Sequence, residues 1–128
     1  MLHVPGLYIA PVREKGRGVF CGHDLQPGDT IELCPLLFIP GHQLPTIHQT
    51  VFHDYYFLWP GPQGAACIAL GYGSLYNHDR DPNAEVIMDT EAGMLEIRCL
   101  QTISAGNEIL IDYTGGGAPE APIWFQEV

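Results

Sequence analysis

Short apolar segments, each bounded by glycine, proline, asparagine or aspartate, constrain the fold of this chain more than any other feature. Runs of β-branched, aromatic and aliphatic residues between such turn residues are typical of strands. The segments are residues 7–10, 19–21, 30–39, 55–59, 66–70, 84–89, 94–100 and 108–112. This spacing predicts a mostly β domain of short strands.

Helical periodicity is weak throughout the chain. The candidates are residues 44–51, one turn near 74–77, and the tail 120–127, in which Pro122 limits helix formation. A chain of 128 residues is large enough for one hydrophobic core. Glycine and proline contribute 15 and 11 residues, but 46% of the chain is apolar and no segment is repetitive, which excludes disordered and collagen-like structures.

Two stretches, residues 25–33 and 103–111, share one pattern, in which a glycine precedes Asp or Asn and an isoleucine follows two residues later. Gly28 and Gly106 are therefore expected in tight turns, in backbone conformations that a Cβ atom would penalise. The repeated pattern predicts two similar β-turn-β corners that frame the sequence between them.

The charge balance, 15 acidic against 5 basic residues, gives a net charge of −10. A negative charge opposes binding to the phosphate backbone of nucleic acids and favours a basic protein partner. The alternative is that the acidic residues only keep the protein soluble. Residues 1–78 carry five acidic and three basic residues, whereas residues 79–128 carry ten and two. The three N-terminal bases lie within five positions: Arg13, Lys15 and Arg17.

Metal and hydrolase signatures are missing from the sequence. The chain contains four cysteines: Cys21, Cys34, Cys67 and Cys99. None forms a C-x-x-C pair, so buried free thiols are expected rather than a zinc site. The six histidines lack H-x-H or H-E-x-x-H spacing, and no G-x-S-x-G is present. A metal cluster of His48, His53 and Asp54 stays an alternative.

No apolar run approaches the roughly 20 residues of a membrane helix, and no leader pattern is recognisable. We therefore expect a cytoplasmic location, or a nuclear, chromatin-associated one in a eukaryotic host. A chain this short would gain affinity or stability as a homodimer, although nothing in the sequence requires one.

Four motifs follow one another in a characteristic order. They are Lys15-Gly-Arg-Gly-Val-Phe20, Tyr55-Tyr-Phe57, Asn77-His-Asp-Arg-Asp-Pro-Asn83 and Gly106-Asn-Glu-Ile-Leu-Ile-Asp-Tyr113. The first lacks the third glycine of a dinucleotide fingerprint and alone is weak. Together, over residues 16–113, the motifs resemble the SET-domain protein lysine methyltransferases, whose pattern is G-x-G, Y-x-F, N-H-S-C-x-P-N and G-E-E-L-x-x-D-Y.

The resemblance implies a SET-like β-clip fold with a C-terminal pseudoknot that brings the Asn77-His78 loop beside Tyr113, an exception to the rule against knotted chains. It implies S-adenosyl-L-methionine as cofactor on one face and a target lysine that enters from the opposite face. The substrate would be a basic, lysine-containing protein, histone-like or ribosomal. From its charge and its lack of a long apolar run, the chain itself is expected to bind neither nucleic acid nor a membrane directly. Residues 1–114 would form the catalytic domain, and residues 115–128 a glycine-rich hinge and an aromatic tail.

The cofactor-binding residues that the resemblance implies are Lys15, Gly16, Arg17, Gly18, Tyr55, Asn77, His78, Tyr113 and Trp124. The glycine turn would let the backbone approach the methionine part, and the neighbouring bases suit its carboxylate. Asn77 would bind the amino end, and backbone groups of His78 the adenine. Trp124 or Phe125 would pack over the adenine, with docking of the tail on the core as the alternative.

The substrate-lysine channel implied by the resemblance comprises Tyr55, Phe57, Tyr76, Ile111 and Tyr113. Tyr113 is the expected catalytic residue, because its phenol can orient the lysine amine for in-line displacement while the site excludes water. Aliphatic Ile111 leaves room for a methylated amine and favours di- or trimethylation. Packing in the core is the alternative for the aromatic residues and is preferred for Tyr56.

Two departures from the family pattern bear on these roles. Asp79-Arg80 replaces the usual Ser-Cys, and no cysteine-rich zinc segment follows Tyr113. The predicted function is methyl transfer from S-adenosylmethionine to lysine. A catalytically silent module that binds a peptide or cofactor is the alternative, and a zinc-binding structural protein is a third. The acidic residues that would dock a cationic peptide include Asp79, Asp81, Glu85, Asp89 and Glu91.

Overall fold

The computed structural model describes residues 3–60 and 64–112. Within them the strands are β1 (Tyr8–Val12), β2 (Gly16–Phe20), β3 (Thr30–Ile39), β4 (Tyr56–Leu58), β5 (Ala66–Ala69), β6 (Asn77–His78), β7 (Ala84–Asp89), β8 (Met94–Cys99) and β9 (Leu110–Ile111). The helical elements are α1 (Leu44–Ile47) and three 3₁₀ turns at Gly41–Gln43, Val51–Asp54 and Gly73–Leu75. No helix in this part of the chain combines the length and hydropathy needed to cross a bilayer.

The central sheet has five antiparallel strands in the order β4-β5-β3-β8-β7. Strand β3 joins its two halves, because residues 36–39 pair with β5 while residues 30–35 pair with β8. The other described pairs are the β1-β2 hairpin and the short parallel pair of β6 and β9. These pairings confirm the predicted mostly β class.

Two of the strand predictions are confirmed at both ends. Strands β3 and β7 begin and end at the predicted residues. Residues 77–78, which the family resemblance places in a loop, form β6, because they pair with β9, more than 30 positions away in the chain. Within the helical candidate 44–51, residues 44–47 form α1 and Val51 begins a 3₁₀ turn. The helical candidate at 120–127 lies outside the described residues.

The main hydrophobic core lies between the central sheet and the segments packed on it. Its fully buried aliphatic side chains include Val19, Ile31, Leu95, Ile97, Ile109 and Ile111. All four cysteines are buried free thiols, as predicted. Burial raises the pKa of the Cys67 thiol to about 11, so this side chain packs as a neutral group at physiological pH.

The two predicted corners pair directly with each other. The backbone N–H of Leu25 donates to Ile103 O at 2.8 Å, and that of Ile103 donates to Leu25 O at 3.0 Å. Gly28 and Gly106 have φ values of +92° and +89°, which confirms why glycine stands in both turns. Pairing of the corners directs the segment after Gly106 along β2.

Candidate active site

The segment that follows Gly106 lies between β2 and β6. On one side the Ile109 N–H donates to Val19 O at 2.8 Å. On the other side β9 pairs with β6, and the Asp79 N–H donates to Ile111 O at 2.9 Å. Three of the four motifs therefore meet here. The predicted pseudoknot depends on the chain beyond Asp112, which lies outside the described residues, and it stays a prediction.

Asn77 joins the three motifs through its side-chain amide. Its Nδ2 donates to Arg17 O at 2.8 Å and to Glu108 Oε2 at 2.6 Å. Because both neighbours are acceptors, the NH₂ group must face them, and Oδ1 is then the side-chain atom that can accept a hydrogen bond from a ligand. We call Arg17, Gly18, Asn77 and Glu108 the Asn77 clasp.

Gly18 makes the clasp possible because it occupies almost no space. A Cβ atom at this position would overlap the Glu108 carboxylate and lie 2.9 Å from Asn77 Nδ2. Gly16 has a different reason to be glycine, since its φ is +83° and the space around it is open. The G-x-G motif therefore combines one glycine needed for close approach with one needed for backbone conformation.

Asn83, the last residue of the N-H-x-x-x-P-N motif, binds β9 and the segment that leads into it. Its Nδ2 donates to Glu108 O at 2.9 Å, and its Oδ1 accepts from the Leu110 N–H at 2.8 Å. The Asn83 N–H donates to Leu110 O at 3.1 Å. Sequence reasoning assigned no role to Asn83 or Glu108. The only sequence signal for either residue is its motif: Asn83 ends the N-H-x-x-x-P-N motif, and Glu108 lies in the G-x-E-x-x-x-D-Y motif.

Lys15 and His78 also meet at this site. Lys15 Nζ donates to His78 O at 3.1 Å. The ammonium group therefore contacts the backbone of His78, which the family resemblance predicts to bind adenine. The His78 side chain is buried, and its Nδ1 lies 3.7 Å from Asp112 Oδ1. The basic turn before β2 is thereby brought onto the Asn-His pair, two motifs that are about 60 residues apart in the sequence.

An open cavity of about 400 Å³ lies beside the clasp. This volume is within the range of small-molecule sites. Two predicted residues, Arg17 and Tyr55, line it. The other lining residues, which sequence reasoning did not identify, are Val51, Phe52, Ile68, Ala69, Leu70, Gly71, Ser74 and Leu75. The mainly apolar wall with one guanidinium suits a ligand that has an apolar body and an anionic group.

The remaining residues of the predicted site lie away from this cavity lining or outside the described residues. Phe57, Tyr76 and Ile111 are buried in the main core, and the Tyr76 hydroxyl donates to Glu32 Oε1 at 2.7 Å. Their place in a lysine channel stays a prediction. Tyr113 and Trp124 lie outside the described residues.

Tyr56, predicted to pack in the core, is buried with Ile39 and Ala66, which confirms that prediction. Its hydroxyl lies 2.8 Å from His48 Nε2, and burial raises its pKa. His48 and His53 meet edge to face. In the described part of the chain, no three His, Cys, Asp or Glu side chains are grouped so that they could hold a metal ion.

The SET domain family model matches residues 16–114 of this chain. The chain belongs to the SET-domain family. It is 32% identical over 123 residues to a histone-lysine N-methyltransferase of Schizosaccharomyces pombe that is specific for H3 lysine-37, an alignment covering 94% of this chain and 78% of the relative. The predicted enzyme class, a protein-lysine N-methyltransferase, is thereby confirmed.

Solved structures share the fold. A crystal structure of a candidate histone methyltransferase of Plasmodium falciparum is 28% identical with a TM-score of 0.64, over 84% of this chain and 92% of that one. SET8 of Cryptosporidium is 24% identical with a TM-score of 0.64, over 84% and 56%. A chain of ctPRC2, solved with H3K27me3 and H3K27M, is 17% identical with a TM-score of 0.73, over 88% and 15%. The latter two likenesses concern the fold alone.

Proposed function

We propose that this SET-domain protein transfers a methyl group from S-adenosyl-L-methionine to the ε-amine of a lysine in a basic protein. The Asn77 clasp carries the proposal, because it gathers three motifs of the family beside a cavity that Arg17 and Tyr55 line. Clasp and cavity together give a polar end and an apolar wall in one site.

The residues present fit S-adenosylmethionine. The Arg17 guanidinium would bind the carboxylate, and Asn77 Oδ1 would accept from the ammonium group, since the Asn77 amide hydrogens are held by Arg17 O and Glu108. The apolar wall formed by Leu70 and Leu75 would contact uncharged parts of the ligand. When bound, the cofactor supplies a sulfonium-activated methyl group.

Tyr113, the tyrosine of the D-Y motif, is proposed as the catalytic residue. Its phenol oxygen would accept a hydrogen bond from the substrate amine and align it for in-line displacement. The lysine must be neutral to attack, and desolvation in the site lowers its pKa without a dedicated general base. Residues 115–128, with Trp124, are proposed to close the cofactor site.

The proposed substrate is a histone or another basic protein. The S. pombe relative is named for histone H3, and this chain carries a net charge of −10 with most of its acidic residues after position 78. Opposite charge favours encounter with a lysine-rich segment, and the association rate should fall with added salt. Which lysine is methylated, to what degree, and whether two copies pair stay predictions.

A methyl-transfer assay with a labelled donor tests this function on separate pools of histones, histone-like proteins and ribosomal proteins. We expect transfer to lysine in at least one pool and a loss of about 100-fold or more in kcat for Tyr113→Phe at unchanged cofactor affinity. Tyr8→Phe is the matched control, because Tyr8 is exposed and stacks on Phe20. Cofactor binding without transfer to any pool would indicate a silent binding module instead.

A further inference from the structure

Glu32 is the one buried carboxylate among the residues that the structure describes, with 1% of its surface exposed. A β-bulge between Thr30 and Glu32 breaks the alternation of β3, so that Ile31 and Glu32 are both buried. Strand alternation alone would have placed one of these two neighbours on the surface. The bulge therefore delivers a carboxylate into the core.

Both Glu32 oxygens are used by one segment of the chain. Oε1 accepts from the Tyr76 hydroxyl at 2.7 Å, and Oε2 accepts from the Tyr72 N–H at 2.9 Å. Gly71, with a φ of +70°, has no room for a Cβ atom, which would overlap Glu32 Oε2. Burial and the neighbouring carboxylate raise the pKa of Tyr76, which keeps its hydroxyl protonated as a donor.

This segment, residues 71–76, forms one wall of the cavity and leads into the clasp. Gly71, Ser74 and Leu75 line the cavity, and Tyr76 directly precedes Asn77. Strand β3 also packs closely against the segment at Gly73. A Cβ atom added to this glycine would lie 2.7 Å from Cys34 Sγ, so Gly73 is in close contact with the Cys34 side chain. A shift of the segment would therefore move both the cavity wall and Asn77.

We propose that Glu32 is a positioning residue of the methyl-transfer site. It acts through Tyr72 and Tyr76 to fix residues 71–76, and through them the orientation of Asn77. The inference rests on the proposed function for its effect on catalysis. The ordering of the segment by Glu32 is a separate physical claim with its own measurement.

The test compares Glu32→Ala and Glu32→Gln, with Glu96→Gln as the matched control. Glutamine has the same shape, and it can accept from the Tyr72 N–H and donate to the Tyr76 oxygen. Glu96 is a half-buried carboxylate of the same sheet, bonded to Thr30 and Arg98. Tyr76→Phe serves as a second probe should Glu32→Ala not fold, because it removes a single donor to the carboxylate.

Two readouts are measured on folded protein. We expect Glu32→Ala to lower kcat/KM about 100-fold, Glu32→Gln to restore it to within about tenfold of wild type, and Glu96→Gln to match wild type. Hydrogen exchange of the amides of residues 72–76 should accelerate at least tenfold in Glu32→Ala, while the amides of β8 keep their wild-type rates.

Wild-type kcat/KM and exchange in Glu32→Ala and Tyr76→Phe would overturn the proposal. Equal acceleration of exchange in residues 72–76 and in β8 would overturn it too, since Glu32 would then only stabilise the core. A wild-type chain without any methyl transfer would overturn the proposed function and the catalytic part of this inference. Accelerated exchange confined to the segment would in that case still support ordering of the cavity wall by Glu32.

Discussion

The central sheet and the Asn77 clasp are built by different means. The sheet is held by long antiparallel ladders and by fully buried aliphatic side chains such as Ile97. The clasp links β6, a strand of only two residues, to β2 and to Glu108, and the Asn83 side chain adds hydrogen bonds to Glu108 and Leu110. These side-chain bonds take the place of a long ladder. The sheet is thus held by many similar apolar contacts, none of which is essential alone, whereas the clasp depends on a few specific hydrogen bonds.

Because of this difference, we expect the sheet to determine the stability of the fold and the clasp to determine the affinity for the cofactor. Loss of an apolar contact in the sheet should lower the free energy of unfolding and leave the affinity for the cofactor unchanged. Loss of a polar contact in the clasp should weaken cofactor binding by more than it destabilises the fold. Ile97→Ala and Gly18→Ala test this separation, the larger expected effect first, and Asn83→Ala and Cys67→Ala then test single contacts through stability alone.

Ile97→Ala should destabilise the protein by about 3 kcal/mol, because it opens a cavity where the side chain is fully buried. Urea denaturation measures the change, and the dissociation constant of S-adenosylmethionine for folded protein should stay within twofold of wild type. The control is Leu58→Ala, since Leu58 is exposed. A large loss of affinity in Ile97→Ala would contradict the separation.

Gly18→Ala should weaken cofactor binding about 100-fold, which is equivalent to about 2.7 kcal/mol. The added Cβ would overlap the Glu108 carboxylate and push Asn77 away from Arg17 O. Calorimetry measures the affinity. Gly28→Ala is the control. Its positive φ should make the alanine cost about 1 kcal/mol of stability, but the added Cβ enters open space and Gly28 does not line the cavity. Equal affinities in both variants would show that the clasp does not shape the site.

Asn83→Ala should destabilise the protein by about 2 kcal/mol, because the Leu110 N–H and Glu108 O lose their side-chain partner. The exposed Asn107, in the turn before Glu108, is the matched control, and Asn107→Ala should change stability by less than about 0.5 kcal/mol. Thermal unfolding of the two variants decides. Similar melting temperatures would mean that Asn83 does not hold β9.

Stability should also fall as pH rises from about 9 to about 11. Burial raises the pKa of Cys67 from 9.0 to about 11, so the unfolded chain loses this proton first and high pH favours unfolding. The other buried thiols have raised pKa values and act in the same direction. Cys67→Ala should make the slope of unfolding free energy against pH shallower; an unchanged slope would contradict this assignment.

The same contrast explains how much the sequence predicted. Thr30–Ile39 and Ala84–Asp89 were predicted to the residue, because runs of strand-forming residues bounded by turn residues determine strands locally. The strand Asn77–His78 was not, because it exists only through a partner distant in sequence. Glu32 was missed because a bulge reverses its face, which no alternation pattern reveals.

The site itself was predicted in outline from motif order. The meeting of Lys15 with His78, and of Arg17 with Asn77, follows the motifs. The apolar side of the cavity, formed by residues such as Val51 and Leu70, could not be predicted, because these side chains belong to unrelated segments that only the fold brings together. The roles of Tyr113 and Trp124 stay predictions.

The most direct test of the central claim, that the Asn77 clasp forms the cofactor site, is calorimetric titration of wild type and Asn77→Ala with S-adenosylmethionine. Asn107→Ala is titrated as the matched control. The clasp predicts one bound cofactor per wild-type and per Asn107→Ala chain, with affinity at least tenfold weaker in Asn77→Ala because the acceptor for the ammonium group is gone. No binding to wild type, or equal affinity in all three proteins, would contradict the claim.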